Sequence, residues 1–375
     1  MRVAHLASLI ALLLVETARL GAQAPSTRVD LDWSGVEAFW RIHAVLAADQ
    51  EPTPVQWDSL FATPGYALLQ ERERRRDALV RAFRLAYRPS LRAQLDSATA
   101  REDWVAFVLP HLRDVPLRRD SVVRFRGEIE RDALFDQARE RAQSFLPAGT
   151  TRRVPAPSVS ILYFKDARGY ERILIDPLYL MRVPDRVQLI GHELHHYYRN
   201  KIATHTRPFG GDLLAWAIAN VETEGVAGLV DKAAVPEMTD AEMERRYRVP
   251  ASLAYFKSYR HEYARSNEWL RFTQHMLERI AAHPDSAATL GAHLHRELPD
   301  NGRAMGAFMA TVIIEQLGHD ALLQVVGDPF AFWERYDQAA RQTGGRAAAL
   351  SDTAMQVIRR LRLAYRILLR NEPGG

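Results

Sequence analysis

The 375-residue sequence contains no cysteine. That excludes a disulfide framework, thiolate metal sites and cysteine-linked lipid, so stability must come from packing, with a bound metal as a further contribution. Lysine is scarce as well. Only Lys165, Lys201, Lys232 and Lys257 occur among 50 basic residues, so the cationic side chains are overwhelmingly arginine. The formal net charge is only +4 because acidic residues interleave with the arginines, as in Glu71-Arg72-Glu73-Arg74. This pattern makes solvated helix faces and speaks against a nucleic-acid track. Beyond the N-terminus no stretch reaches 18 uninterrupted apolar residues. Against these absences stand 47% apolar and 26% charged residues, the balance of a globular protein with a sizeable core.

The one long apolar run opens the chain. Met1-Arg2 supplies a short positive start, residues 3–15 are apolar but too few to cross a bilayer, and Ala22-Gln23-Ala24 is a small-residue cleavage pattern. The segment reads as a signal peptide over residues 1–24. The expected destination is therefore export, to the periplasm or beyond the cell, with no stable membrane insertion after the signal is removed.

Helical periodicity dominates residues 34–146, where Val36, Phe39, Trp40, His43 and Leu46 recur at three- and four-residue spacing. Thr53-Pro54 is an N-cap with proline at the first helical position. Charged helices are expected around residues 72–87 and 121–145. Residues 159–164 and 172–175 read as two strands flanking a turn at 166–169, after which helices resume. The expected fold class is α+β and predominantly helical. A helical region over 25–150 precedes a metal-motif region over 151–375, and one continuous domain fits the same pattern.

Residues 192–196 read H-E-x-x-H. Histidines four apart lie about 40° apart around a helix axis and one turn above each other, so His192 and His196 can bind one ion. Glu193 is then placed to handle the proton of a water at that ion. The surrounding Val187, Leu189, Ile190 and Leu194 make the helix apolar enough to be buried, and buried imidazoles and a buried carboxyl are costly unless something satisfies them. Ordinary core histidines bonded to neighbours are the alternative. His195 breaks the spacing and reads as a packing residue or a support for the ligands. A third ligand is sought on the apolar stretch 212–232, which holds Glu222 and Glu224. Two positions apart on a helix is about 200°, so only one can face the ion.

His192-Glu193-x-x-His196 followed 28 positions later by Glu224-Gly225-Val226-Ala227 resembles the gluzincin type of zincin metallopeptidase. More closely, the chain resembles the bacterial zinc-dependent peptidases of the domain-of-unknown-function 5700 kind. Trp57-x-x-Leu60-Phe61-x-Thr63-x-Gly65-Tyr66, the approach to Asp176-Pro177-Leu178, and residues 224–232 and 302–309 extend that resemblance over most of the chain. It implies a zincin-like fold, one Zn2+ held by His192, His196 and Glu224, Glu193 as general base, and a peptide or protein substrate. The Glu224 face also carries Gly228 and Asp231, while the other face, with Ile218, Thr223, Val226 and Leu229, could equally be core; Glu222 is expected to be exposed or hydrogen-bonded at the rim. One departure stands out: the family commonly has an acid where this chain has Gly228, and Asp231 is the substitute at hand for orienting a ligand histidine.

Asn301 and Arg303, at the start of an apolar helix ending near Gly318, are candidates for stabilising an oxyanion, as are Tyr255, Tyr259, His261 and Tyr263. Two rival readings remain from the sequence: a zincin-fold binding or scaffold protein without turnover, favoured by the missing acid at 228, and a hydrolase of a non-peptide amide. The export reading predicts that mass spectrometry of protein from the native host finds a new N-terminus near residues 22–26. An intact Met1 in a membrane fraction would make the segment an anchor instead.

Overall fold

The computed structural model describes residues 29–101, 103–131, 133–203 and 211–370, with side chains to 365. The signal-peptide reading of 1–24 lies outside the described residues. Most of the chain is helical, around one four-stranded sheet of order β1-β2-β4-β3. Strand β1 (Asp30–Asp32) pairs in parallel with β2 (Ser158–Ile161), and β2 pairs in parallel with β4 (Ile173–Ile175). Strand β3 (Ala167–Gly169) is antiparallel to β4 and forms one edge. The architecture is α+β, as the sequence implies.

The strand details differ from expectation, for reasons visible in the hydrogen bonds. Strand β2 stops at Ile161 because, once the Leu162 N–H has bonded the Ile175 carbonyl, the backbone donors that follow leave the ladder. The Tyr163 N–H goes to the Tyr66 hydroxyl, and those of Phe164 and Lys165 both go to Oδ2 of Asp176 at 2.8 Å. Asp176 is fully buried, lies 2.8 Å from His111 Nε2, and caps the next helix through the Tyr179 N–H. Burial pushes its carboxyl pKa up, but His111 and these N–H donors outweigh that and hold it below the usual value. The segment read as a turn at 166–169 is mostly β3. Strand β1, three residues long with acids at both ends, carries no period-2 signal. The expected helices over 72–87 and 121–145 each divide, the first at Arg74, whose φ of 52° is left-handed.

The helices that matter for the site are α1 (Leu134–Gln143), α2 (Arg186–Ile202), α3 (Leu213–Lys232), α4 (Pro250–Ala264), α5 (Arg303–Leu317) and α6 (Pro329–Ala340), labelled in chain order. Helix α3 is central, packed against α2, α5, α6 and the Ala287–Glu297 helix. Its length and hydropathy would suit a membrane span, yet 78% of that window is buried inside the protein, so it is a core helix. Helices α3 and α5 touch backbone to backbone. A Cβ on Gly225 would overlap the Gly306 backbone, and one on Gly306 would overlap the Val221 carbonyl and stand 2.9 Å from the Gly225 Cα. The pair can close to this distance only with glycine on both sides.

Gly306→Ala must therefore push α5 off α3. Overpacking of this kind costs about 1–3 kcal/mol, which denaturant titration should register as a lowered midpoint. An unchanged midpoint would show that the two helices do not meet at these residues.

Candidate metal centre

Helix α2 starts at Asp185, whose side chain accepts from the Gln188 N–H at 3.0 Å, and residues 190–199 of it are all buried. His192 and His196 fall one turn apart and their Nε2 atoms are 3.0 Å from each other, with ring planes at 85°. Contacts across to α3 step backwards as α2 steps forwards. His192 meets Ala227 and Asp231, His196 meets Glu224, and Arg199 meets Glu222, so the helices run antiparallel. This brings Glu224 to the histidines. Its Oε2 is 3.9 Å from His192 Nε2 and its Oε1 is 3.7 Å from His196 Nε2. One donor atom from each of the three residues lies within 4.8 Å of the others.

The chemistry of this donor set fits a small divalent ion. His192 Nδ1 lies 3.0 Å from both the Ala227 carbonyl and Asp231 Oδ1, two acceptors, so Nδ1 carries the proton and Nε2 keeps its lone pair for a ligand. Burial holds His196 well below its usual pKa and hence neutral, as metal binding needs. Burial alone would raise Glu224, but the Arg303 guanidinium bound to it outweighs that and holds the carboxylate ionised far below the usual range. Ligand bonds near 2.0–2.2 Å put the donor atoms of a tetrahedral ion roughly 3.3 Å apart, within the spread seen among these three residues.

Glu193 is buried beside this group and is not one of the three. Burial raises its carboxyl above the usual value, opposed by the Arg168 guanidinium. Strand β3 lies against it: a Cβ on Gly169 would stand 2.9 Å from the His196 Cβ and collide with the Glu193 carbonyl, so glycine lets the sheet edge rest on the motif helix. Arg168, next to that glycine, is bound by Asp166 at 2.6 Å and by Glu73 at 3.3 Å. The sequence shows no sign of this cluster, because Glu73 lies 95 positions before Arg168.

The remaining candidates divide. Asp231 reaches His192, and Arg303 binds Glu224 Oε2 through Nε at 2.8 Å and through Nη2. His195 points away from the ligand group: its Nε2 lies 3.0 Å from the Phe145 carbonyl, and burial depresses its pKa to about 3, so it is a neutral packing residue. Asn301 is exposed and, among the described residues, makes no hydrogen bond to the ligand group. Of the tyrosines, Tyr255 joins the network through Arg303 at 2.8 Å, while Tyr259 has its hydroxyl 3.5 Å from where a Cβ on Gly228 would lie.

One expectation is overturned. Glu222 is neither exposed nor at a rim. It is fully buried, bound by Arg199 Nε at 3.0 Å and Nη2, and its Oε1 accepts the Gly327 N–H at 2.9 Å. The face opposite Glu224 is interior because α3 is enclosed nearly all round. Arg199, two turns after His192 in a buried helix, was the signal that a buried acid must exist to meet it.

A helical α+β architecture with a His-His-Glu group able to hold a metal ion defines the class. Residues 57–344 match the family described as "Putative zinc dependent peptidase (DUF5700)", and the chain belongs to that family. No curated protein and no solved structure matches the chain.

The two glutamates should separate cleanly on substitution. Glu222→Ala strands a buried guanidinium and should cost about 3–5 kcal/mol of stability in denaturant titration. Glu224→Ala should instead abolish tight metal binding in a titration, and the opposite pattern would reverse the assignment.

Proposed function

We propose that this is an exported zinc-dependent peptidase of the gluzincin kind, in which His192, His196 and Glu224 hold one Zn2+ and Glu193 is the general base. The observation that carries the reading is the division of roles within one buried group: three donor atoms converge, while the carboxyl of Glu193, on the same helix, stays outside them. Membership of a family described as zinc-dependent peptidases supports the same reaction class. Bound zinc supplies Lewis-acid polarisation of the scissile carbonyl and makes water acidic enough to attack near neutral pH.

The protein's residues supply the rest. Glu193 takes a proton from the attacking water and returns it to the leaving amine, and its raised pKa brings it nearer to the pH at which it works. Asp231 and the Ala227 carbonyl fix the His192 ring and its tautomer. An extended peptide lies along the edge strand β3, adding a strand to the sheet beside the motif helix. Asp231 on His192 also favours catalysis over a non-catalytic scaffold, because it gives that histidine the carboxylate that the missing acid at 228 would otherwise supply.

Glu193→Gln should retain zinc by metal analysis while lowering peptide turnover by about 10²–10⁴-fold, and chelation should stop turnover of the unaltered protein. Lost zinc in the variant would make Glu193 a ligand. Unchanged turnover would remove it from the reaction.

A further inference from the structure

The geometry points to Arg303 as a positioning residue that confines Glu224 to a single free oxygen, and so fixes how many ligand atoms the centre presents and which class of cation it takes. This rests on the assignment of His192, His196 and Glu224 as ligands. Arg303 is the first residue of α5, brought to Glu224 by the glycine contact between α3 and α5. Its Nε and Nη2 converge on one carboxylate oxygen, Oε2, the first at 2.8 Å. In a side-by-side pairing each oxygen would take one donor. Here Oε1 carries no arginine bond and is the oxygen that faces His196 Nε2 at 3.7 Å.

Arg303 is itself held from behind. Its Nη1 donates to the Tyr255 hydroxyl at 2.8 Å, and that hydroxyl donates to Asp300 Oδ2 at 3.0 Å, which also lies 3.3 Å from Nη1. Asp300 reaches this place through a left-handed run, with φ of 45° at Asp300, 58° at Asn301 and 78° at Gly302, a conformation that aspartate, asparagine and glycine tolerate best. Helix α4 supplies Tyr255, α5 supplies Arg303, and the turn between α5 and the preceding helix supplies Asp300. Both Arg303 and Glu224 are only about one-fifth exposed, so their charges are poorly screened.

The consequence for the cation follows from carboxylate chemistry. Larger hard cations collect six to eight oxygens and commonly take a carboxylate through both of its oxygens, whereas zinc is satisfied with four ligands of mixed nitrogen and oxygen. With Oε2 occupied by a guanidinium, the chain offers two nitrogens and one oxygen, a set that suits zinc and starves the oxygen-seeking ions. Freeing Oε2 adds a ligand and relaxes that discrimination.

The test uses the full mature protein, Arg303→Gln and Tyr255→Phe, each stripped of metal and reloaded with Zn2+, Mn2+ or Co2+. Competition against a chromophoric chelator gives affinities, and the intensity of Co2+ visible absorption reports coordination number, being strong for four ligands and weak for more. Arg303→Gln should bind zinc about 10–100-fold more weakly, narrow the preference for Zn2+ over Mn2+, and show a weaker Co2+ band. Tyr255→Phe should move all three in the same direction by less, and it carries the test should Arg303→Gln fail to fold. Variants that melt like the parent in chelator and keep its zinc affinity and Co2+ band would overturn the inference. Zinc binding by the parent that survives His192→Ala would instead overturn the ligand assignment, and the inference with it.

Discussion

The contact of Gly225 with Gly306 governs where everything else in the centre stands. Helix α3 carries Glu224 one residue before its glycine, and α5 carries Arg303 three residues before its own. Backbone contact at the glycines puts the carboxylate and the guanidinium in reach of each other without either chain extending far. A methyl group at either glycine would have to be absorbed by moving a whole helix, since interiors packed this closely do not yield locally.

Helix α3 is otherwise apolar enough to be indifferent to its own rotation, and its acids remove that freedom. Glu222 pairs with Arg199, Glu224 with Arg303 and the two histidines, and Asp231 with Lys232 and His192. All three acids meet side chains of α2, and Glu224 is held from α5 as well. Turning the helix by one residue would leave several buried charges unpaired at once, a penalty far larger than any gain from repacking aliphatic groups. Ionic contacts that add little net stability thus specify a register that hydrophobic burial alone leaves open.

Much of the centre was legible in the sequence because its chemistry is local. The four-residue spacing of His192 and His196 and the glycine after Glu224 are each read within one helical turn. Residues that act over distance were not. Strands β1 and β3 are too short to show alternation and exist only because β2 and β4 are there to pair with them. The placement of Glu222 failed for a related reason. Periodicity sets it opposite Glu224, on a face whose aliphatic residues suit a core equally well, but a lone acid reads as a surface or rim residue, and α3 is enclosed on nearly every side. The partner that makes a buried acid tolerable, Arg199, lies 23 positions away on another helix.

Glycine at 228 follows from the same arrangement. Residues 224, 228 and 231 share one face of α3, so a carboxylate supporting His192 can stand at either of the latter two. A Cβ at 228 would lie 3.9 Å from the Arg303 Cγ and 3.5 Å from the Tyr259 hydroxyl. An acid there would be a second anion beside Arg303, competing with Glu224 for its donors. At 231 the carboxylate is one turn further from Arg303 and has Lys232 as its own cation, while still reaching His192 at 3.0 Å. Moving the acid by three residues therefore lets His192 be oriented and Glu224 be held by separate charges, and leaves Arg303 with one carboxylate oxygen on which to close.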